Sequence, residues 1–189
     1  MSGLNNSQSS LVQVYNWLRV YGLNDSHSGN ASIRVGDMIW ITPSGACADT
    51  LTNTDLISCH IDGRIGEGAS LDAALHIQTY QDNAKTKAVL HSHNPHTLAL
   101  TMNGEDFKPV DFEGAHYFDR VPVITIPYEN YLEDSPYKVS KSLQRHKACV
   151  VRGHGVYVAG TNLELAYKWT CSLEHSAKVA LLTTKSHKV

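Results

Sequence analysis

Two histidines separated by one residue are the first group in this sequence that could do chemistry. His91 and His93 lie at and just beyond the end of a short apolar segment, Lys87–His91, which is predicted to be a β-strand. Side chains two residues apart on a strand point to the same face, with Cα atoms about 6.5–7 Å apart. Imidazoles at this spacing can bind one metal ion at about 2.0–2.1 Å from each nitrogen. The alternative is a pair of unrelated histidines in a chain that contains 11 of them.

A third histidine lies in a bend between glycines. The sequence Arg152–Gly155 contains His154 with a glycine on each side, and glycine allows a positive φ and a close approach of the backbone. Valine-rich segments before and after it predict two strands that hold the bend rigidly. We therefore predict a site formed by His91, His93 and His154, with a position left open for substrate, as is typical of catalytic metal sites.

The remaining histidines carry no comparable signal. His96 follows Pro95, the expected first residue of a helix, and is predicted to cap or pack that helix. The other seven are interpreted as structural or exposed: His27, His60, His76, His116, His146, His175 and His187.

Three segments rich in hydroxyl groups and glycine predict an anion site. Thr42–Gly45 leaves one predicted strand and Gly29–Ser32 enters the strand before it. Ser70 stands at the start of a predicted helix, where free N–H groups and the helix dipole attract anions. Each segment alone could be an ordinary turn. Beside a metal site, the three together indicate a phosphate or other small anion held at a distance from the metal.

Predicted hairpins alternate with helices, which indicates an α/β protein with a largely antiparallel sheet. Ser9 or Ser10 is predicted to cap a first helix over Leu11–Tyr21, and a capping box at Thr161 and Glu164 predicts the start of the longest helix, to about Thr184. The other predicted elements are strands at Ser32–Val35 and Met38–Thr42, a hairpin over Leu56–Ile65 turning on Asp62-Gly63, a helix over Leu71–Gln81 capped by Ser70, the strand Lys87–His91, a helix over His96–Met102, a strand over Val121–Ile126, a helix over Pro136–His146, and a strand pair at Ala148–Arg152 and Val156–Val158.

Composition excludes several classes of protein. A length of 189 residues favours one domain over residues 1–189, and 16 basic against 18 acidic residues give a net charge of −2, so we expect no nucleic acid or anionic membrane as a partner. The first residues are polar and no run of 18 apolar residues occurs, which argues against a signal peptide or a membrane span. Four cysteines without a Cys-x-x-Cys pair indicate a soluble cytoplasmic protein with free thiols.

These motifs, taken in order, resemble the class II aldolase/adducin family. Its metal-dependent members include L-fuculose-phosphate and L-rhamnulose-phosphate aldolases, ribulose-phosphate 4-epimerases and methylthioribulose-1-phosphate dehydratases. The resemblance runs from about Gly29 to about Leu181. It implies a three-layer α/β/α domain with a mainly antiparallel central sheet, and homotetramers with active sites between subunits. It also implies a divalent metal, usually Zn2+, on His91, His93 and His154, and substrate phosphate at Asn30, Thr42, Ser44, Gly45 and Ser70.

The sequence departs from the family pattern at two positions. Asp72 stands where the aldolases carry a glutamate, four residues before His76, so the resemblance makes Asp72 the expected proton acceptor. Leu71 replaces the second phosphate-binding serine, which weakens or re-angles the anion site. Glu113 lies where fuculose-phosphate aldolase has a catalytic tyrosine and the dehydratases a catalytic glutamate; it is either a second catalytic residue or a solvated loop acid.

The resemblance implies chemistry through an enediolate of a small phosphorylated ketose, stabilised by the metal. Aldol cleavage is the first hypothesis. Dehydration of methylthioribulose 1-phosphate, which Glu113 favours, is the main rival, and decarboxylation or 4-epimerisation of a sugar phosphate is a further alternative. A non-catalytic scaffold like the adducin head is the alternative outside the enzymes, and the intact histidine set argues against it.

Overall fold

A seven-stranded sheet forms the centre of the molecule. The computed structural model describes residues 2–186, with side chains described for residues 6–183. The strand order is β3-β2-β1-β4-β7-β6-β5, and every neighbouring pair is antiparallel except β5 and β6, which are parallel. The strands are β1 Asn30–Val35, β2 Met38–Ile41, β3 Ile57–His60, β4 Ala88–Ser92, β5 Val123–Ile124, β6 Ala148–Val151 and β7 Gly155–Gly160.

Helices cover both faces of this sheet, because successive side chains of each buried strand point in opposite directions. On β4, Leu90 packs with the helices of one layer and Val89 with those of the other. The three-layer α/β/α fold with a mainly antiparallel sheet is thereby confirmed. The helices are α1 Ser2–Val20, α2 Ala73–Asp82, α3 Pro95–Thr101, α4 Phe112–Tyr117, α5 Tyr131–Leu143 and α6 Leu163–Ser186.

Two predicted helix starts are wrong. Helix α1 begins at Ser2, so Ser9 and Ser10 lie inside it, and the Ser10 hydroxyl donates to the carbonyl of Asn6 one turn earlier. Helix α6 is capped by Asn162, whose side-chain oxygen accepts from the Leu165 N–H, rather than by Thr161. At α6, Thr161 and Asn162 are adjacent residues that can both cap a helix, and the local sequence did not distinguish them. At α1 the helix extends seven residues further towards the N-terminus than Ser9.

Helix α5 begins five residues before the predicted start at Pro136. Proline lacks an N–H and is favoured in the first turn, which is why the sequence predicted a start there. Here Pro136 lies inside the helix. Glu133 and Asp134 complement the helix dipole in the first turn, and Tyr131 is fixed by hydrogen bonds to distant residues.

The predicted hairpin over Leu56–Ile65 forms only in part: the chain turns at Asp62-Gly63, but a second strand does not follow. Only β3 forms there, as an edge strand paired with β2, and the chain then turns back through a hydrogen bond from His60 N–H to the Arg64 carbonyl at 2.9 Å. The strand predicted over Val121–Ile126 is reduced to β5, and α4 was not predicted.

The four cysteines are free, with Cys59 and Cys149 buried. Within residues 2–186, none of the helices combines the length and apolar character that a membrane span requires.

Candidate metal centre and substrate cavity

Three imidazoles meet at one end of the central strands. His91 is the fourth residue of β4, His93 follows the end of that strand, and His154 lies in the turn between β6 and β7. One ring nitrogen from each residue lies within 4.8 Å of the other two. The structure therefore brings together the three histidines that the sequence singled out, and His96 is outside this cluster.

Hydrogen bonding leaves the ring nitrogens of this cluster ready to bind a cation. Nδ1 of His91 donates to the carbonyl of Val156 at 3.1 Å, so its Nε2 is the free acceptor and faces Nε2 of His93 at 3.2 Å. Two nitrogens on one tetrahedral zinc ion would be about 3.3 Å apart. Nε2 of His154 is buried and has no hydrogen-bond partner within the described part of the chain. These residues fit a divalent metal ion.

Burial keeps the three rings neutral, which is the form that binds metal. Loss of water lowers the pKa of His91 to about 3, and burial lowers the pKa of His93 and of His154 as well. Protonated imidazoles so close together would repel one another.

The glycines on either side of His154 allow the tight bend and the close approach that the sequence predicted. Gly153 has a φ of +70°, a conformation that side-chain-bearing residues rarely adopt. A Cβ on Gly155 would lie 2.4 Å from Cε1 of His91 and 2.9 Å from Cδ2 of His93. The bend can therefore approach the other two rings only because residue 155 has no side chain.

A row of side chains crosses the sheet through His91 of the histidine cluster. In the strand register, His91 lies opposite Asn30 of β1 and opposite Tyr157 of β7, so all three point to the same face. The ring of Tyr157 stacks on that of His91, with centroids 4.2 Å apart and planes 3° from parallel. Sheet pairing thus fixes the position of His91 relative to Asn30 and Tyr157.

Asp72 lies beside this row and is held by three donors. Its Oδ2 accepts from the Asn30 amide at 2.9 Å and from the Tyr157 hydroxyl at 2.9 Å, and its Oδ1 accepts from the Tyr131 hydroxyl at 2.8 Å. The two hydroxyls also contact each other.

Burial alone would raise the pKa of Asp72, but the His91 ring and the hydrogen bonds outweigh it and lower the pKa to about 2. Burial and the nearby Asp72 charge raise the pKa of both tyrosines.

A cavity of about 500 Å³ opens above these residues. Of the residues predicted to form the site, it is lined by Asn30, Ser44, Gly45, Ser70, Asp72, His91, His93 and His154. The size suits a small metabolite.

Thr42 and Glu113 do not line this cavity. Thr42 is fully buried, and its hydroxyl oxygen accepts from the Ala31 N–H at 3.2 Å, which gives it a supporting position behind the loop. Glu113 is exposed on α4, where it accepts from the Tyr117 hydroxyl at 3.0 Å. Within its own chain, Glu113 is therefore not placed for catalysis.

Two loops at one side of the cavity carry the predicted anion-binding groups. They are joined by hydrogen bonds from Ser44 N–H to the Gly68 carbonyl at 2.9 Å and from Ser70 N–H to the Thr42 carbonyl at 3.2 Å. None of the described residues that line the cavity is a lysine or an arginine. Leu71 is 72% exposed beside Ser70. An anion here would be bound by hydroxyls and N–H groups rather than by cationic side chains.

Part of the cavity wall was not predicted from the sequence. Tyr128, Glu129, Tyr131 and Leu132 all line it. They lie at and before the start of α5, which was predicted five residues too late. The acidic first turn at Glu133 and Asp134 is the signal that could have found this start.

Residues 9–181 match the family described as the class II aldolase and adducin N-terminal domain. The chain belongs to this family.

Similar proteins carry the names of several reactions. The chain is 31% identical to a solved L-fuculose-1-phosphate aldolase from Thermus thermophilus, with a TM-score of 0.88 and 95% of each chain covered. It is 30% identical to a 3-oxo-tetronate 4-phosphate decarboxylase of Haemophilus influenzae, over 95% of this chain and 88% of that protein. It is 27% identical to a 5-methylthioribulose-1-phosphate/5-deoxyribulose-1-phosphate aldolase of Rhodospirillum rubrum, over 89% and 77%. These relatives support an enzyme of the class II aldolase type.

Proposed function

We propose that this protein is a zinc-dependent lyase that cleaves a small phosphorylated ketose by a retro-aldol reaction. The observation that carries the proposal is the convergence of His91, His93 and His154 at the wall of a cavity whose other side holds N–H groups and hydroxyls. A cation and an anion site in one cavity suit a substrate with a ketose at one end and a phosphate at the other.

Three neutral imidazoles leave the charge of a divalent ion unreduced and a position open for substrate. When bound, the ion supplies positive charge beside the ketose oxygens, where negative charge develops during the reaction. Nitrogen ligands in this number favour zinc over magnesium or calcium, which prefer oxygen.

The chain's own residues would bind and orient the substrate. In this proposal Ser44, Gly45, Ser70 and Asn30 hold the phosphate, since the two serine hydroxyls, the Gly45 N–H and the Asn30 side-chain amide can donate. Thr42 supports the loop on which Ser44 lies. Asp72, ionised at neutral pH, is the carboxylate that accepts a proton within the cavity.

The alternative reactions on the same class of substrate are dehydration and decarboxylation. The relative that is named as a decarboxylase favours decarboxylation. Dehydration depends on Glu113, which would act in the cavity of a neighbouring copy of the chain. That arrangement requires the homotetramer with active sites between subunits that the resemblance implies. The proposed enzyme is such a tetramer and is located in the cytoplasm. A scaffold like the adducin head would not need the ligand set preserved here.

The first test is metal content. Purified protein is expected to carry about one zinc ion per chain by mass spectrometry of the metals. His154→Gln and His93→Ala should each lose it, whereas the control variant His116→Gln, at an exposed histidine outside the cluster, should keep it. Wild-type protein without stoichiometric metal would support the scaffold.

The second test identifies the reaction. Metal-loaded protein is incubated with a panel of ketose 1-phosphates and oxo-acid phosphates, and the release of aldehyde, water or carbon dioxide is measured separately. Aldehyde release that depends on metal supports the proposal. Carbon dioxide or dehydrated product in its place would assign the chain to a different reaction of the family.

A further inference from the structure

The Asp72 carboxylate and the hydroxyls of Tyr131 and Tyr157 form a closed triangle of contacts. Each hydroxyl contacts the carboxylate, and the hydroxyls contact each other. A phenol carries one hydrogen and an ionised carboxylate carries none, so three contacts share two hydrogens. At any moment one side of the triangle lacks a hydrogen. If the Tyr131 hydroxyl turns elsewhere, the Tyr157 hydroxyl can still donate to Asp72.

The two tyrosines differ in what they face. Tyr157 lies on β7, is fully buried and stacks on His91. Tyr131 begins α5 and lines the cavity, with its ring centroid 4.6 Å from that of His154. Of the pair, Tyr131 is therefore the one whose hydroxyl can reach a molecule held in the cavity beside the histidine cluster.

We infer that Tyr131 is a substrate-binding residue whose hydroxyl donates a hydrogen bond to an oxygen atom of the bound molecule next to the metal ligands. Asp72 keeps its hydrogen bonds from Asn30 and Tyr157 when Tyr131 turns, so the carboxylate stays anchored. Tyr157 is then a positioning residue, because it acts on the ligand only through Asp72 and Tyr131. The inference rests on the proposed function in taking the ligand to be an oxygen-rich molecule beside a metal ion.

Direct binding of a small chelating ligand tests this inference without turnover. Acetohydroxamate offers two adjacent oxygens to a metal ion, and its affinity for the zinc-loaded protein is measured by calorimetry. Hydrogen bonds to charged oxygens are strong, so Tyr131→Phe is expected to weaken binding about 10-fold to 100-fold. Metal content and the thermal midpoint should match those of the wild type. On any ketose that the wild type converts, the variant should show a similar loss in kcat/KM.

Tyr137→Phe is the matched control. It makes the same chemical change on the same helix, but its hydroxyl contacts Lys141 at the surface and it does not line the cavity. We expect hydroxamate affinity within about twofold of the wild type, since no contact to the ligand is lost.

Three results would overturn the inference. The first is a change of less than about threefold for Tyr131→Phe, which is too small for a lost hydrogen bond to a charged oxygen. The second is loss of zinc from this variant, because the hydroxyl would then serve the metal cluster rather than the ligand. The third is zinc-loaded wild-type protein that does not bind acetohydroxamate. A tenfold loss in Tyr131→Phe supports the inference even when no ketose phosphate is converted, an outcome that contradicts the proposed lyase alone.

Discussion

The carboxylate of Glu174 lies 2.6 Å from Nδ1 of His96, and this contact fastens the segment after His93 to the last helix. Glu174 is buried, and its two oxygens accept from the N–H groups of His96 and Thr97, from the His96 ring and from the Thr97 hydroxyl. Asn94 adds a hydrogen bond to the carbonyl of Thr170 on α6 at 3.1 Å. Helix α6 thus holds the segment that follows β4 and His93.

Glu174→Ala is expected to lower the free energy of unfolding by about 2–3 kcal/mol, because it removes a buried charge-assisted acceptor and leaves several donors unpaired. Urea unfolding of the metal-free protein measures this. The control is Glu164→Ala, an exposed acid near the start of the same helix, for which we expect a loss below about 1 kcal/mol. Equal losses in the two variants would show that the contact does not hold this segment.

Gly155→Ala is expected to damage the metal site more than Gly153→Ala. A Cβ at position 155 would lie 2.8 Å from the Ser92 carbonyl oxygen and closer still to the His91 ring, so the ligands must move apart. At position 153 the nearest atom is Sδ of Met102 at 3.8 Å, and the cost is the left-handed backbone alone, about 1–2 kcal/mol. Zinc affinity measured by competition with a chelator should fall sharply for Gly155→Ala. A larger fall for Gly153→Ala would contradict the packing argument.

The stability of the metal-free protein should fall as the pH drops from 6.5 to 4. Fully buried His76 has Nδ1 2.7 Å from the Ser32 hydroxyl, and burial lowers its pKa from 6.5 to about 4. In this window the unfolded chain binds a proton that the folded chain does not, so unfolding becomes more favourable as the pH falls. His76→Gln should remove about 3 kcal/mol of the stability lost between pH 6.5 and 4 and reduce the slope, while the lowered pKa values of His91, His93 and His154 keep part of it.

Urea unfolding at several pH values between 4 and 7 measures how the free energy of unfolding depends on pH in the wild type and in His76→Gln. The matched change is His27→Gln, at an exposed histidine, which should keep the wild-type slope. A slope unchanged in His76→Gln would mean that other groups cause the acid sensitivity.

Leu71→Ser should strengthen the binding of phosphate. The side chain is exposed at the cavity wall beside Ser70 and just ahead of α2, and a hydroxyl there adds a donor to a site that has no cationic side chain. We expect inorganic phosphate to bind about threefold to tenfold more tightly, as for one added hydrogen bond. Calorimetry provides the measurement, and Leu132→Ser, at an exposed leucine of α5, is the control. No gain in Leu71→Ser would argue that the anion does not bind at this helix start.

The sequence by itself predicted which three histidines come together and the fold class, because both follow largely from local patterns. Residues two apart on a strand share a face, which predicted that His91 and His93 lie together, although β4 ends at Ser92 and His93 lies just beyond it. A histidine between glycines predicted the tight bend at His154, and alternating hairpins and helices predicted the layers. These patterns operate over a few residues and need no knowledge of the neighbouring elements.

Only the tertiary structure decided how the polar groups are shared around the ligands. The partners of Asp72 lie 42, 59 and 85 residues away in sequence, at Asn30, Tyr131 and Tyr157. Their meeting depends on the register of three strands and on where α5 packs. The same long-range packing buried Thr42 behind its loop and carried Glu113 away from the cavity. Contacts of this kind arise from the alignment of distant elements, which no local pattern encodes.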